Sequence, residues 1–253
     1  MSSAGTLSER VPVLSFMVDT EDQLSLPGLC RILQDAAWKH AAALGFGPSE
    51  LDQRGQMWVL SRLLVRAVCY PRWGEEVVIE TWPSGIERLF AMRDFRLTGA
   101  DGNPVALVRS AWLVVDAASR RPVPPARVVD PDSYRHAERV FDDLPPRLDG
   151  VDSNSPEVAQ HRVAYSDFDR QRHVNNVQYL QWMLDGFSMD HMFRHSVAEL
   201  VINFQSEALY GERITIRRRD EGPMSAVSVF REDQTTPACS AQLLWRLREA
   251  ERA

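Results

Sequence analysis

Apolar residues at helical spacing mark one long amphipathic segment in the first half of the chain. Between residues 29 and 44 a single stripe holds Leu29, Ile32, Leu33, Ala36, Ala37 and Ala41, and Gly45 and Gly47 end it. Strand-like patterns cover residues 11–19 before the helix and 57–68, 75–82, 90–97 and 105–116 after it, while 46–56 is typical of a loop. The order predicts an α+β unit, a long helix wrapped by an antiparallel sheet.

The same order of elements recurs in the second half. A strand is predicted at 159–166 and a helix at 175–194, followed by strands at 198–204, 213–219, 225–231 and 238–247. The helices are offset by about 150 residues, too long for a solenoid repeat, so we interpret the chain as one unit duplicated and fused. The predicted division is 1–118, a proline-rich connector at 119–157, and 158–253.

The richest polar pattern precedes the second helix. Asp169 lies four residues before His173, and Asn175 and Asn176 stand at the predicted helix start. Backbone N–H groups without intrahelical partners and the positive end of the helix dipole converge there, as a developing oxyanion requires. Asp and Asn before a helix are also common caps, so the short pattern alone leaves both interpretations open.

The longer string, Asp169-x-x-x-His173-Val-Asn-Asn176-x-x-Tyr179-x-x-Trp182, resembles the signature of the acyl-acyl-carrier-protein thioesterases of plants and bacteria. The resemblance covers nearly the whole chain. It implies two tandem hotdog units paired within one chain, with an acyl pocket and no catalytic set in 1–118 and the catalytic set in 158–253. Tyr179 and Trp182 are expected on the buried side of the helix.

The resemblance also assigns roles to individual residues. It implies a catalytic Glu207, at the end of a strand, together with Asp169 and His173. Gln171 stands where the family usually has Asn, one methylene shorter, and Ala208 where plant members have Cys. The N–H groups around Val174, Asn175 and Asn176 are expected to hold the oxyanion, while Glu207 and His173 activate a water.

Three functions stay open at this point. The first is hydrolysis of acyl-carrier-protein thioesters, with the acidic carrier protein docking on Arg170 and Arg172. The second is hydrolysis of acyl-coenzyme A thioesters by the same chemistry. The third is a catalytically weak acyl-binding protein, which the departure at Gln171 keeps open.

Composition narrows the remaining choices. The 253 residues are 44% hydrophobic and carry a net charge of −6, which disfavours nucleic acid as a partner. Cys30, Cys69 and Cys239 form no metal-binding or disulfide pattern and are expected to be buried, and we predict no metal and no cofactor. Residues 1–12 lack signal-peptide features and no run could span a bilayer, so a cytoplasmic location is expected. The oligomeric state is open, with a homodimer as one option.

Overall fold

The computed structural model describes residues 5–129 and 138–248, and the chain divides into two compact units. We call Met1–Pro146 the N-terminal unit and Arg147–Ala253 the C-terminal unit. Residues 138–146 of the proline-rich segment therefore group with the first unit. The boundaries at 118 and 158 stay predictions.

The N-terminal unit is a long helix with an antiparallel sheet. Its helices are α1 (Leu26–Ala43) and α2 (Pro48–Asp52), and its strands are β1 (Leu7–Pro12), β2 (Gln56–Ala67), β3 (Glu76–Glu87), β4 (Phe90–Gly99), β5 (Pro104–Asp116) and the short β6 (Pro122–Val123). The strands pair antiparallel in the order β1-β3-β4-β5-β2, and β6 pairs with β5.

The C-terminal unit repeats this topology. Its helices are α3 (Asn176–Leu184) and α4 (Met189–Arg194), and its strands are β7 (Glu157–Arg162), β8 (His195–Phe204), β9 (Arg213–Glu221), β10 (Met224–Arg231) and β11 (Cys239–Leu247). The antiparallel order β7-β9-β10-β11-β8 matches the first unit strand for strand. Two α+β hotdog units in tandem are therefore confirmed. Within the described ranges, every helix is too short or too polar to cross a membrane.

Local sequence explains where α1 begins and which face it buries. The Ser25 hydroxyl accepts the N–H of Gly28 at 3.0 Å, and Pro27 stands in the first turn. Every residue of the predicted apolar stripe is buried. A side chain at Gly28 would meet the Met17 carbonyl oxygen at 2.4 Å, so the helix start needs glycine there.

Both predicted first strands were misplaced. The chain leaves the sheet at Pro12 and Arg162 and forms short 3-10 helices at Ser15–Met17 and Tyr165–Asp167. The predicted strands extended through these turns, whose aromatic residues are exposed: Phe16 is 75% exposed and Tyr165 87%.

Two further predictions were wrong in detail. The predicted loop at 46–56 contains α2, which begins at Pro48. The single helix predicted at 175–194 ends at Leu184, and the chain then passes so close to β7 that a side chain at Gly186 would lie 2.8 Å from Val158. The Gly186 carbonyl accepts from Arg218 at 2.6 Å, and Ser188 caps a separate helix.

A buried ion pair stabilises the N-terminal sheet. Arg109 on β5 donates twice to the Asp94 carboxylate on β4, at 2.8 and 2.7 Å, and both side chains are at most 1% exposed. The N–H of Val140 also donates to Asp94, and Arg109 donates to the carbonyl of Asp143. The pair therefore holds segment 138–146 against its own unit.

Replacing Asp94 by Ala should cost roughly 3–5 kcal/mol, because Arg109 would stay buried without its counter-ion. Urea unfolding followed by fluorescence measures this change. Glu76→Ala is the matched control, since its pair with Arg10 is exposed and should contribute about 1 kcal/mol or less. Equal losses in both variants would contradict the role given to the buried pair.

Candidate active site

A tight turn shaped by Asp169 precedes α3. The Asp169 carboxylate oxygen accepts the N–H of Gln171 at 2.8 Å and of His173 at 3.4 Å, and the N–H of Asp169 donates to the His173 carbonyl at 2.9 Å. Arg172 takes a left-handed backbone conformation, with φ of 63°. Asp169 thus fixes the backbone that presents the His173 side chain.

The helix start uses Asn175 as its cap. The Asn175 side chain accepts the N–H of Val177 at 2.9 Å, and its own N–H donates to the Asp167 carbonyl at 2.9 Å. In the part of the chain that the structure describes, the N–H of Val174 meets no acceptor. Asn176 is the first residue of α3, where N–H groups lack intrahelical partners. Of the three predicted oxyanion donors, Asn175 is already engaged.

His173 and Glu207 form the polar centre of the site. The Nδ1 atom of His173 makes a short hydrogen bond to Oε1 of Glu207, and each side chain is 31% exposed. Glu207 lies just after β8, so the end of a strand and the start of a helix bring together residues 34 positions apart. Asp169, His173 and Glu207 therefore meet in one place.

Three neighbouring residues of the turn precede His173: Arg170, Gln171 and Arg172. The N–H of Gln171 belongs to the Asp169 turn, whereas its side-chain amide makes no hydrogen bond within the described residues. Arg170 and Arg172 are exposed on either side of it. The predicted docking residues thus face solvent beside His173.

Two family models match the chain over most of its length. The model described as acyl-ACP thioesterase N-terminal domain, where ACP is acyl carrier protein, covers residues 6–131, and the corresponding C-terminal domain covers 151–247. The chain belongs to the acyl-ACP thioesterase family.

Individual relatives are distant. The chain is 24% identical to a chloroplastic palmitoyl-acyl carrier protein thioesterase of Gossypium hirsutum, over 79% of this chain and 51% of the relative. It is 24% identical to the chloroplastic oleoyl-acyl carrier protein thioesterase 2 of Arabidopsis thaliana, over 90% of this chain and 66% of the relative. The chain spans about half to two thirds of the length of these relatives.

Solved structures share the fold. An acyl-ACP thioesterase from Bacteroides thetaiotaomicron superposes with a TM-score of 0.87 at 24% identity, over 95% of this chain and 98% of the other. The 12:0-ACP thioesterase from Umbellularia californica superposes with a TM-score of 0.81 at 20% identity, over 98% and 99%.

One contact that the sequence did not predict holds the chain beside Glu207. The N–H of Ala208 donates to the Tyr179 hydroxyl at 2.8 Å, and both residues are buried. Burial raises the pKa of Tyr179, so the hydroxyl stays neutral. A buried tyrosine usually bonds through its hydroxyl, but the sequence did not reveal the partner, which lies 29 residues away.

The buried Asp167, just before this turn, makes further contacts that the sequence did not predict. The buried Asp167 carboxylate accepts the N–H of Ala164 at 2.7 Å and bonds Nε2 of His161 at 2.8 Å. The His161 ring stacks on Trp182, which in turn packs against Tyr179. The two aromatic residues of the family signature are buried, as predicted, and support the site.

The N-terminal unit of this family member contains the same turn without a His–Glu pair. Asp19 accepts the N–H groups of Glu21 and Gln23 at 2.9 and 3.2 Å, and its own N–H donates to the Gln23 carbonyl at 2.8 Å. Asp22 has φ of 55°, and Ser25 is the cap. Gln23 therefore stands in the place of His173, which the sequence did not reveal.

The same unit holds an apolar pocket. It opens to solvent between α1, the sheet and the loop around Phe46, spans about 470 Å³ with the solvent space at its mouth included, and has walls that include Trp38, Trp58 and Trp112. The guanidinium of Arg93 also lines it, and that group donates to Nδ1 of the buried His40 at 3.0 Å.

The cysteines supply no nucleophile at the site. Cys30 and Cys239 are buried, and burial raises the pKa of the Cys30 thiol to about 12 and that of Cys239 well above its usual value. Cys69 is exposed, which corrects the expectation that all three are buried. In residues 5–129 and 138–248, no cluster of three His, Cys, Asp or Glu side chains is arranged to hold a metal ion.

His40 should make the stability of the protein depend on pH. Burial, and then the charge of Arg93, lowers its pKa from 6.5 to about 4, so the folded protein holds it neutral. The free energy of unfolding should therefore be unaffected by His40 above pH 6.5. It should fall by up to roughly 3 kcal/mol as the pH drops towards 4, because the unfolded chain then binds a proton that the folded protein does not. Urea unfolding at several pH values measures it.

His40→Asn is the control, because its amide oxygen can still accept from Arg93 but cannot titrate. Its free energy of unfolding should fall less steeply than that of the wild type over this range. Parallel pH dependences would contradict the assignment to His40.

Proposed function

We propose that the protein hydrolyses acyl-acyl-carrier-protein thioesters to the free carboxylic acid and holo carrier protein. The observation that carries this proposal is the hydrogen-bonded pair His173–Glu207 at the start of α3, in a chain of this family. Carboxylate and imidazole in contact can accept and return protons, as thioester hydrolysis requires. No cofactor is needed for this reaction.

The chemistry follows from the placement of the groups. Glu207 and His173 orient a water and take its proton as its oxygen attacks the thioester carbon. The N–H groups of Val174 and Asn176 donate to the oxygen that becomes negative. The carbon–sulfur bond then breaks, and the proton passes to the departing thiolate. Asp169 acts by holding the turn, and Gln171 is suited to contact the bound thioester because its amide faces no protein partner in the described chain.

The pocket of the N-terminal unit is proposed to take the acyl chain. Its tryptophan walls suit an apolar group, and it lies in the unit that lacks the His–Glu pair. Arg93 adds one buried polar group to this wall. The cytoplasmic location and the oligomeric state remain predictions.

His173→Ala and Glu207→Gln should each lower kcat by about 100- to 10,000-fold on an acyl-carrier-protein substrate, because each removes one half of the proton-transferring pair. Release of free acid and unchanged circular dichroism are the measurements. Asp190→Asn is the matched control, since this carboxylate is exposed on α4.

Two variants at Asp169 test whether this residue shapes the loop or takes part in proton transfer. Asn can still accept the two N–H groups, so Asp169→Asn should retain more activity than Asp169→Ala. If His173→Ala and Glu207→Gln hydrolyse at the wild-type rate, the site assignment is wrong.

Carrier protein should be preferred over coenzyme A, and Arg172 should contribute to that preference. An acidic carrier needs local positive charge on a chain with a net charge of −6, and Arg172 lies exposed beside the site. Arg172→Glu should raise KM for the carrier-protein substrate more than for the same acyl group on coenzyme A. Arg194→Glu, on an exposed residue of α4, is the control.

Three results would contradict parts of this proposal. Equal changes in KM on both substrates would contradict docking at Arg172. Faster turnover of coenzyme A thioesters would favour the second function considered above. Tight acyl binding without hydrolysis would favour the acyl-binding protein.

A further inference from the structure

The two units provide an internal comparison of a catalytic and a non-catalytic turn. In each, the strand that follows the helix ends by donating two consecutive N–H groups to one carbonyl: Val68 and Cys69 to Val105, and Gln205 and Ser206 to Ala238. Three residues further on comes a turn in which the N–H of Arg72 or Leu209 donates to a glutamate side chain, at 2.7 or 2.8 Å. Tyr70 and Pro71 therefore correspond to Glu207 and Ala208.

One backbone hydrogen bond distinguishes the copies. In the N-terminal unit the N–H of Leu24 donates to the Pro71 carbonyl at 2.7 Å. The corresponding N–H, of Val174, has no acceptor among the residues that the structure describes. The strand end thus closes onto the turn in one copy and stands off from it in the other.

One side-chain contact accompanies this difference. Counting from the caps Ser25 and Asn175, Leu29 of α1 corresponds to Tyr179 of α3. Pro71 has no N–H and needs no acceptor, whereas the buried N–H of Ala208 is taken by the Tyr179 hydroxyl. The closed turn of the N-terminal unit therefore has Leu29 and Pro71 at these two positions. The open turn of the C-terminal unit has Tyr179 and Ala208.

We propose that Tyr179 is a positioning residue: by accepting the N–H of Ala208 it holds the strand end so that Glu207 reaches His173 while the N–H of Val174 stays open to the thioester oxygen. The contact lies one residue from Glu207 and anchors it to the same helix whose start carries the oxyanion donors. Tyr179 acts through the backbone and does not touch the substrate. This inference rests on the proposed thioesterase function.

Tyr179→Phe tests the hydroxyl alone, because the ring can keep its packing on Trp182 and Phe204. On an acyl-carrier-protein substrate, kcat should fall on the order of 10- to 100-fold, since a displacement of about 1 Å can cost that much. KM should stay within about twofold, because no binding contact is removed.

Ser228→Ala is the matched control. The buried Ser228 hydroxyl accepts the N–H of Val151 at 3.0 Å in the same unit and donates to the Ser240 hydroxyl, so it contacts neither Glu207 nor Ala208 directly. Both variants lose a buried acceptor of a backbone N–H and should lower the melting temperature. Only Tyr179→Phe should lower kcat.

A double variant shows whether Tyr179 acts through Glu207. In a Glu207→Gln background, adding Tyr179→Phe should lower kcat much less than it does alone, because the positioned carboxylate is already absent. If the two losses multiply, Tyr179 does not act through Glu207 and the proposal is wrong. It is equally wrong if Tyr179→Phe loses no more activity than Ser228→Ala.

One readout needs no substrate and separates this inference from the proposed function. The ring nitrogen resonances of His173, in labelled full-length protein, report its hydrogen bond to Glu207. They should move in Tyr179→Phe and stay in place in Ser228→Ala. If the wild type hydrolyses neither carrier-protein nor coenzyme A thioesters, the proposed function fails, and these resonances alone decide the inference: an unmoved signal overturns it.

Discussion

Each unit depends on one turn, in which a carboxylate closes the backbone between the first strand and the long helix. Asp19 and Asp169 each accept two N–H groups, and a residue with positive φ completes the turn. The aspartate accepts N–H groups of the turn itself, and the cap that follows accepts one N–H of the first helical turn, which has no intrahelical partner. The turn therefore fixes the helix start in both units, whatever side chains it presents.

That separation of scaffold from chemistry explains how duplicated units can differ in function. The backbone bonds of the two turns agree to within a few tenths of an ångström, yet one presents Gln23 beside the Tyr70 strand end and the other His173 beside Glu207. Few side chains separate the two outcomes, because the fold supplies the placement and the residues supply the chemistry.

Sequence patterns predicted what depends on neighbours along the chain. The α1 stripe, the Asn175 cap and the buried faces of Tyr179 and Trp182 follow from local spacing and are seen in the structure. The pairing of His173 with Glu207 was expected only through the family resemblance, since 34 residues separate them. The roles of these residues in catalysis remain predictions.

What the sequence missed depends on contacts across the fold. The end of α3 at Leu184 and the close approach of Gly186 to Val158 of β7 are not reported by helical periodicity. The 3-10 helices at Ser15–Met17 and Tyr165–Asp167 lie in segments for which the sequence predicts strand. The bond from Ala208 to Tyr179 and the buried Asp94–Arg109 pair each needed the folded chain to place their partners.

The helices that follow the two turns differ in length, since α1 runs from Leu26 to Ala43 and α3 only from Asn176 to Leu184. The last turns of α1 contribute Ala37, Trp38 and Ala41 to the pocket wall. The first helix of the C-terminal unit ends at Leu184, before the corresponding positions. There Phe187 and His191 pack against Trp245, with ring centroids 4.8 and 4.4 Å apart, and fill the space with aromatic rings. Phe187 and His191 of the C-terminal unit therefore stand at the positions where α1 lines the apolar pocket of the N-terminal unit.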